Sequence, residues 1–202
     1  MPLWQDPEPL VLASKSASRR AMLEAAGVPV EVRAAGIDER AVEAAAGVSG
    51  AREAAVLLAC EKARAVARLM PSRLVVGADQ TLSLDDRRLD KPADMAAARA
   101  QLAALSGRTH ELHSAAAVVA GDTVLFTTVD TASLTARPLG AGFLDCYLDA
   151  AGPAVLSSVG AYQLEGAGIH LFERIEGNYF TILGLPLLPL FGFLRRRGSL
   201  AA

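Results

Sequence analysis

The stretch Leu10-Val11-Leu12-Ala13-Ser14-Lys15-Ser16-Ala17-Ser18-Arg19-Arg20 changes character after its fourth residue. The apolar start predicts a short buried strand. The rest is nearly all hydroxyl-bearing or cationic. It runs straight into Arg20-Ala21-Met22-Leu23-Glu24-Ala25-Ala26, a helical pattern closed by Gly27. A strand feeding such a turn at a helix N-terminus aims backbone N–H groups, the positive dipole end and guanidinium groups at one point. That combination suits a phosphate. The same residues also read as an ordinary Ser cap followed by two solvated arginines.

A second junction resembles the first. Leu74-Val75-Val76-Gly77-Ala78-Asp79-Gln80-Thr81-Leu82-Ser83-Leu84 is an apolar strand with a carboxylate in its middle. Asp is depleted in strands, and burying an unpaired carboxylate is costly. Asp79 is therefore expected at a strand break beside a cleft, or bound to a cation. Lys91-Pro92 follows, just ahead of a helical pattern. Two cationic turns and a carboxylate at strand ends suggest a site for a metal-bound polyphosphate.

The chain has 202 residues, which fits one domain, residues 1–202, with two lobes. Hydrophobic residues make up 52% and aromatics 5%, so the core is expected to be mainly Ala, Leu and Val. With 20 Lys and Arg against 22 Asp and Glu, the net charge of −2 offers no electrostatic footprint for nucleic acid. Positive charge must be concentrated locally. Cys60 and Cys146 have no metal-like spacing and read as buried small hydrophobes in a reducing compartment. The N-terminus lacks a signal-peptide pattern, and the apolar Thr181–Leu194 segment is too short and too proline-broken to span a membrane. The expectation is a cytoplasmic protein with no membrane partner.

Further along, residues 28–34 predict a strand, 36–40 a polar loop and 41–50 a mobile Ala/Gly-rich segment. Residues 51–70 predict a long helix with Val56, Cys60, Ala63, Ala67 and Met70 on its apolar stripe. Asp85-Asp86-Arg87-Arg88 reads as a hairpin turn, and Asp94 as the cap of a helix to Leu105. Residues 109–120 and 123–136 predict a hairpin around Gly121-Asp122. Residues 140–150 predict a helix, 169–175 a strand, and Pro186 opens a last helix to Arg197. Strands and helices mix without a strict βαβ repeat. The fold class is therefore α/β or α+β with a sheet of mixed direction and a groove between two lobes.

His110 and His113 stand three apart in a strand, on opposite faces, and do not suit one metal ion; His170 is isolated. No GxxxxGK[ST] motif occurs, which excludes a P-loop nucleotidase. Lys62 beside a helical stripe and Glu39 in a charged loop carry no signal alone. The glycine-rich stretch Gly160-Ala161-Tyr162-Gln163-Leu164-Glu165-Gly166-Ala167-Gly168 demands unusual backbone angles or close approach by a ligand. Gln163 and Glu165 offer hydrogen-bonding groups there.

In this order, the motifs resemble those of the Maf family of nucleoside triphosphate pyrophosphatases. They are Leu12-Ala13-Ser14-x-Ser16-x-x-Arg19-Arg20, Asp38-Glu39, Glu61-Lys62-Ala63, Gly77-Ala78-Asp79-Gln80, Lys91-Pro92, Leu105-Ser106-Gly107, Gly160-Ala161-Tyr162 through Glu165-Gly166, and Gly184-Leu185-Pro186. The resemblance covers nearly the whole chain. It implies an inosine-triphosphatase-like fold, a homodimer, and hydrolysis of the α–β anhydride of a nucleoside triphosphate to a monophosphate and pyrophosphate with a divalent metal, Mg²⁺ or Mn²⁺. It implies that Ser14, Ser16, Arg19 and Arg20 bind phosphate and that Lys62 and Lys91 face the phosphate chain. By the same resemblance, Asp79 and Glu39 activate water or hold metal, and Gln80, Gln163 and Glu165 contact substrate.

Those residue types suit the chemistry. The reaction needs a placed water, neutralised anhydride oxygens and a stabilised pyrophosphate leaving group. Mg²⁺ favours carboxylates together with substrate phosphates. Whether Asp79 is general base or metal ligand stays open. Ala17-Ser18 stands where many members have Pro-Arg, Gln80 where many have Thr, and Glu165 where many have Gln. These departures resemble the subgroup that prefers 7-methyl-GTP over the one that takes dTTP and UTP. A carboxylate can accept from the N1–H and N2–H₂ edge of guanine and favours a cationic 7-methyl ring. The alternatives are a dTTP/UTP-type pyrophosphatase, or a nucleotide-binding regulator of septum formation acting through a cell-division protein partner.

Overall fold

The structure is a computed structural model that describes residues 2–202. Its seven-stranded mixed sheet has β1 (Leu10–Ala13), β2 (Val30–Val32), β3 (Val75–Leu84), β4 (Arg87–Leu89), β5 (Thr109–Ala120), β6 (Thr123–Ala136) and β7 (Phe172–Glu176). The order is β2-β1-β3-β5-β6-β7, with β4 pairing β3 off that path. The helices are α1 (Ala17–Ala25), α2 (Glu39–Ala46), α3 (Ala51–Ala67), α4 (Met95–Leu105), α5 (Ala141–Ala151), α6 (Tyr179–Ile182) and α7 (Leu187–Arg197). The expected mixed α/β class is what the strands and helices form.

The chain divides into two compact units. The first holds residues 1–79, 114–130 and 184–202; the second holds 80–113 and 131–183. In the first unit β1 pairs parallel to both β2 and β3, with Val11 opposite Val75 and Ala13 opposite Gly77. A parallel strand between two neighbours is covered on both faces, which explains why Leu10–Ala13 is an unbroken apolar run and wholly buried. Its core joins β1, β3 and β5 residues to Ala55, Ala59, Ala63, Val66 and Ala67 of α3.

The core of the second unit gathers Leu82 and Leu84 of β3, Ala98, Leu102 and Leu105 of α4, Leu144, Tyr147 and Leu148 of α5, and Ala161 and Tyr162. Asp94 caps α4 by accepting from the Ala97 amide at 2.7 Å, as its position predicts. The β5–β6 turn falls on Gly121, φ +54°, where the hairpin reading put it. Antiparallel β6–β7 pairing sets Leu134 opposite Ile175.

Four expectations are corrected. Of residues 41–50, expected as a mobile Ala/Gly-rich segment, 41–46 lie in helix α2. Asp38 caps α2 through the Ala41 amide, and Gly47 closes it in the left-handed conformation. The α3 stripe is wider than expected. Ala63 and Ala67 are fully buried, and Val56, Cys60 and Met70 pack half-buried at the core's edge. The fully covered face also takes in Ala54, Ala55, Leu58, Ala59 and Val66, and Val56 and Cys60 line a surface cavity with Arg52, Leu57, Arg64 and Val129 as well. Alanine around most of the helix blurs its apolar face. Residues 167–171 form a 3₁₀ turn before β7 rather than part of the strand. Cys146 is exposed and Cys60 half-buried, and both are free thiols. No helix among the described residues is long and apolar enough to cross a membrane.

Candidate active site

Ser14 directly follows β1, and its buried hydroxyl organises the turn that begins there. Ser14 Oγ accepts from the Ser16 amide at 3.2 Å and from Arg19 Nη1 at 3.2 Å. Ser16 is the N-cap of α1, its Oγ accepting from the Arg19 amide at 3.4 Å. The Ser-cap reading therefore holds for Ser16, and it coexists with a second feature. Arg19 is not solvated. Its Nε donates to the Gly184 carbonyl at 2.7 Å and its Nη1 to the Ala78 carbonyl at 2.9 Å. Nη2 makes no hydrogen bond among the described residues, so the fixed guanidinium keeps two donors for an anion. Burial lowers the Arg19 pKa, against the pull of Asp79 and Glu39. Arg20 behaves differently. It is exposed and pairs with Glu24 one turn along α1 at 2.8 Å, the solvated arginine of the alternative reading.

Asp79 does not break its strand. β3 continues through it to Leu84. The carboxylate is buried, and its cation is a side chain of the protein itself. Lys62 Nζ stands 2.5 Å from Asp79 Oδ1 and 2.8 Å from Glu39 Oε1. Lys62 and Asp79 are 12% and 10% exposed, while the Glu39 side chain is half exposed. Burial raises the Asp79 pKa above the ordinary carboxylate value, although the charges of Lys62 and Arg19 hold it down.

The backbone explains why Lys62 reaches Asp79. A Cβ on Gly77 would lie 2.1 Å from the Ala59 carbonyl oxygen and 2.6 Å from the Ala63 amide nitrogen. Glycine on β3 and alanines on α3 thus let the strand and helix approach more closely than any larger pair allows. Lys62 precedes Ala63 on that helix, and Asp79 lies two residues beyond Gly77. The motifs Glu61-Lys62-Ala63 and Gly77-Ala78-Asp79 are each half of one contact, which sequence reading did not join.

These residues, Ser14, Ser16, Arg19, Glu39, Lys62 and Asp79, all belong to the first unit. Gln80, Lys91, Gln163 and Glu165 belong to the second. Gln80 Nε2 donates to the carbonyls of Thr181 and Ile182, both at 3.0 Å, which commits its amide hydrogens to α6. Lys91 is exposed in the extended segment between β4 and α4. Gln163 makes a long 3.5 Å contact to Ser157 Oγ, and Glu165 is exposed in the turn that follows. His110 and His113 have separate partners, as their spacing predicts: Tyr162 for the first, Ser83 and Thr131 for the second.

Among the described residues no group of three or more His, Cys, Asp or Glu could hold a metal ion by itself. Asp79 and Glu39 are two oxygen-donor side chains that converge on one point, now taken by Lys62 Nζ. That donor set fits a hard cation that draws its remaining ligands from phosphates and water.

Residues 9–197 match the family of Maf-like proteins. A protein of Nitrobacter winogradskyi named nucleoside triphosphate pyrophosphatase is 55% identical over 201 residues, covering all of both chains. One of the same name from Rhodopseudomonas palustris is 53% identical over the same span, again covering all of both chains. A protein of Rhizobium meliloti named 7-methyl-GTP pyrophosphatase is 54% identical over 195 residues, 96% of this chain and 98% of the other. The solved HAM1 protein of Coxiella burnetii overlaps 63% of this chain and 72% of its own, at TM-score 0.42 and 18% identity. With a match to nearly its full length and relatives above half identity, this chain belongs to the Maf family.

Proposed function

We propose that this protein is a nucleoside triphosphate pyrophosphatase that prefers a guanine-type base of the 7-methyl-GTP kind. The observation that carries the reading is the Lys62 ammonium shared by Asp79 and Glu39, on the unit that also holds the Ser14–Arg19 turn. The names of the relatives support the reaction, and the Rhizobium meliloti protein supports the base.

In the proposed reaction a water oxygen bonds to the α-phosphorus, the bond from that phosphorus to the α–β bridging oxygen breaks, and pyrophosphate leaves with the electron pair. The water proton passes to a base, and the products are a nucleoside monophosphate and pyrophosphate. Arg19, fixed by three acceptors, offers Nη2 to a phosphate oxygen. The amides of the first turn of α1 and its dipole add to that attraction. Lys62 supplies a point charge against the negative charge that develops on the phosphate oxygens. Asp79 has the proton affinity of a buried carboxylate and acts on the attacking water. With Glu39 it would hold a divalent cation, which when bound supplies Lewis-acid neutralisation of the phosphates. Glu165 accepts from the guanine edge and favours a ring with positive charge.

Pyrophosphate release from 7-methyl-GTP, GTP, dTTP and UTP, with and without Mg²⁺, tests the reading. The expected result is metal-stimulated release that is fastest with 7-methyl-GTP. A preference for dTTP removes the argument from Glu165, and no release from any of the four removes the enzyme.

A further inference from the structure

The turn that leads to Gln163 and Glu165 begins with two backbone conformations that side chains disfavour. Gly160 has φ +79°, and the buried Ala161 has φ +61°. The left-handed region crowds a Cβ against the following carbonyl, and such a residue persists only where its surroundings over-determine it. The surroundings here are aromatic and buried. Tyr147 donates its hydroxyl to the Ala161 carbonyl at 3.2 Å. A Cβ on Gly160 would meet Leu82 at 2.7 Å and the Tyr162 ring at 2.8 Å. The Tyr162 ring stands edge-on to Phe172, centroids 4.8 Å apart, and to His110, 5.6 Å apart.

Tyr162 also hydrogen-bonds His110, with its hydroxyl 2.7 Å from Nε2. His110 is fully buried on β5, and burial pushes its imidazole down to about 4 and the Tyr162 phenol well above its ordinary value. Both are uncharged at neutral pH. His110 Nδ1 has no partner. If Nε2 carried the proton, both Nδ1 and the phenolic hydrogen would be left unmatched. With Tyr162 donating to Nε2, only the Nδ1 hydrogen is unmatched. The second arrangement leaves fewer orphaned polar groups and is favoured.

We propose that His110, Tyr162 and Tyr147 are positioning residues that clamp the Gly160–Ala161 turn and thereby set the aim of Gln163 and Glu165 toward the nucleotide base. This rests on the reading of Glu165 as the group that selects the base. The clamp lies entirely in the second unit and touches no reacting atom, so its loss alters recognition of the base before it alters chemistry.

Tyr162→Phe removes one hydroxyl and keeps the packing. The expected result is a KM for 7-methyl-GTP raised about 3- to 10-fold, with kcat within about twofold. The preference over dTTP shrinks by the same factor, and amide hydrogen exchange across residues 160–168 becomes faster. His110→Gln retains an acceptor for the phenol and keeps the KM near wild type, while His110→Leu behaves as Tyr162→Phe does. Glu165→Gln separates the two ideas. If it leaves the nucleotide preference unchanged, the Glu165 reading fails and the proposal falls with it. If it shifts the preference while Tyr162→Phe leaves every KM unmoved, the clamp alone is overturned. A fall in kcat at constant KM in Tyr162→Phe overturns it equally.

Discussion

The Lys62 ammonium lies 2.5 Å from the Asp79 carboxylate, and neither side chain has water enough to replace the other. Removing one member of a buried ion pair leaves an uncompensated charge, which typically costs about 3–5 kcal/mol. Lys62→Gln is expected to destabilise the protein toward the lower end of that range, since Glu39 is half exposed and Arg19 still attracts Asp79. Asp79→Asn on that background should recover a large part of the loss. Urea unfolding of the two single variants and the double variant measures the coupling; additive losses would contradict it.

Asp79→Asn keeps the shape of the side chain and an oxygen for Lys62. The chain is expected to fold, with pyrophosphate release slowed about 10²- to 10⁴-fold, the usual contribution of a general base. Turnover at the wild-type rate would remove Asp79 from the chemistry.

Gly77→Ala places a methyl group only 2.1 Å from the Ala59 carbonyl oxygen. Backbone on both sides must give, and overpacking of this kind costs about 1–3 kcal/mol. Because the same contact carries Lys62 to Asp79, activity should fall further than stability explains. Gly142→Ala provides the contrast. It lies in α5 with open space around its Cβ position and should be neutral or stabilising by up to about 1 kcal/mol. Paired denaturation midpoints and specific activities check both.

His110 predicts an acid limit to stability. Its folded-state pKa of about 4 lies below the ordinary value of 6.5. Between those values the unfolded chain binds the proton more readily than the folded one, so stability is full above about pH 6.5 and is lost as pH falls toward 4. The size is roughly 3 kcal/mol. His110→Gln should flatten that slope in urea midpoints measured from pH 4 to 7. An unchanged slope would assign the acid limit to other groups.

Local chemistry made much of the fold legible. Asp94, the Gly121-Asp122 turn and the Leu10–Ala13 run each act through near neighbours, and each is where its residue types require. The Ala-rich segment after Asp38 is hard to read because alanine suits a helix but shows no face, and only the Asp38 cap taken together with Gly47 marks its two ends. The α3 stripe is only partly legible for a similar reason: Ala63 and Ala67 are fully covered while Val56, Cys60 and Met70 pack at the edge of the core. Small apolar residues almost encircle that helix, and only packing decides which of them are covered.

At the site, the residue types were readable but their pairing was not. Arg19 and Arg20 are adjacent and chemically identical, yet α1 directs one to the Gly184 and Ala78 carbonyls and the other to Glu24. Lys62 and Asp79 read separately as a surface lysine and a strand carboxylate.

The residues by themselves determined the strand-to-helix turn after Ala13, the hairpin, the Asp94 cap and the identity of the charged groups, because those features act over a few positions along the chain. The folded chain alone decided that Lys62, Glu39 and Asp79 share one ionic contact and that His110 secures Tyr162. Those unions depend on how closely a glycine lets a helix approach a strand, and on which side chains burial strips of water, and both are settled only when distant segments pack.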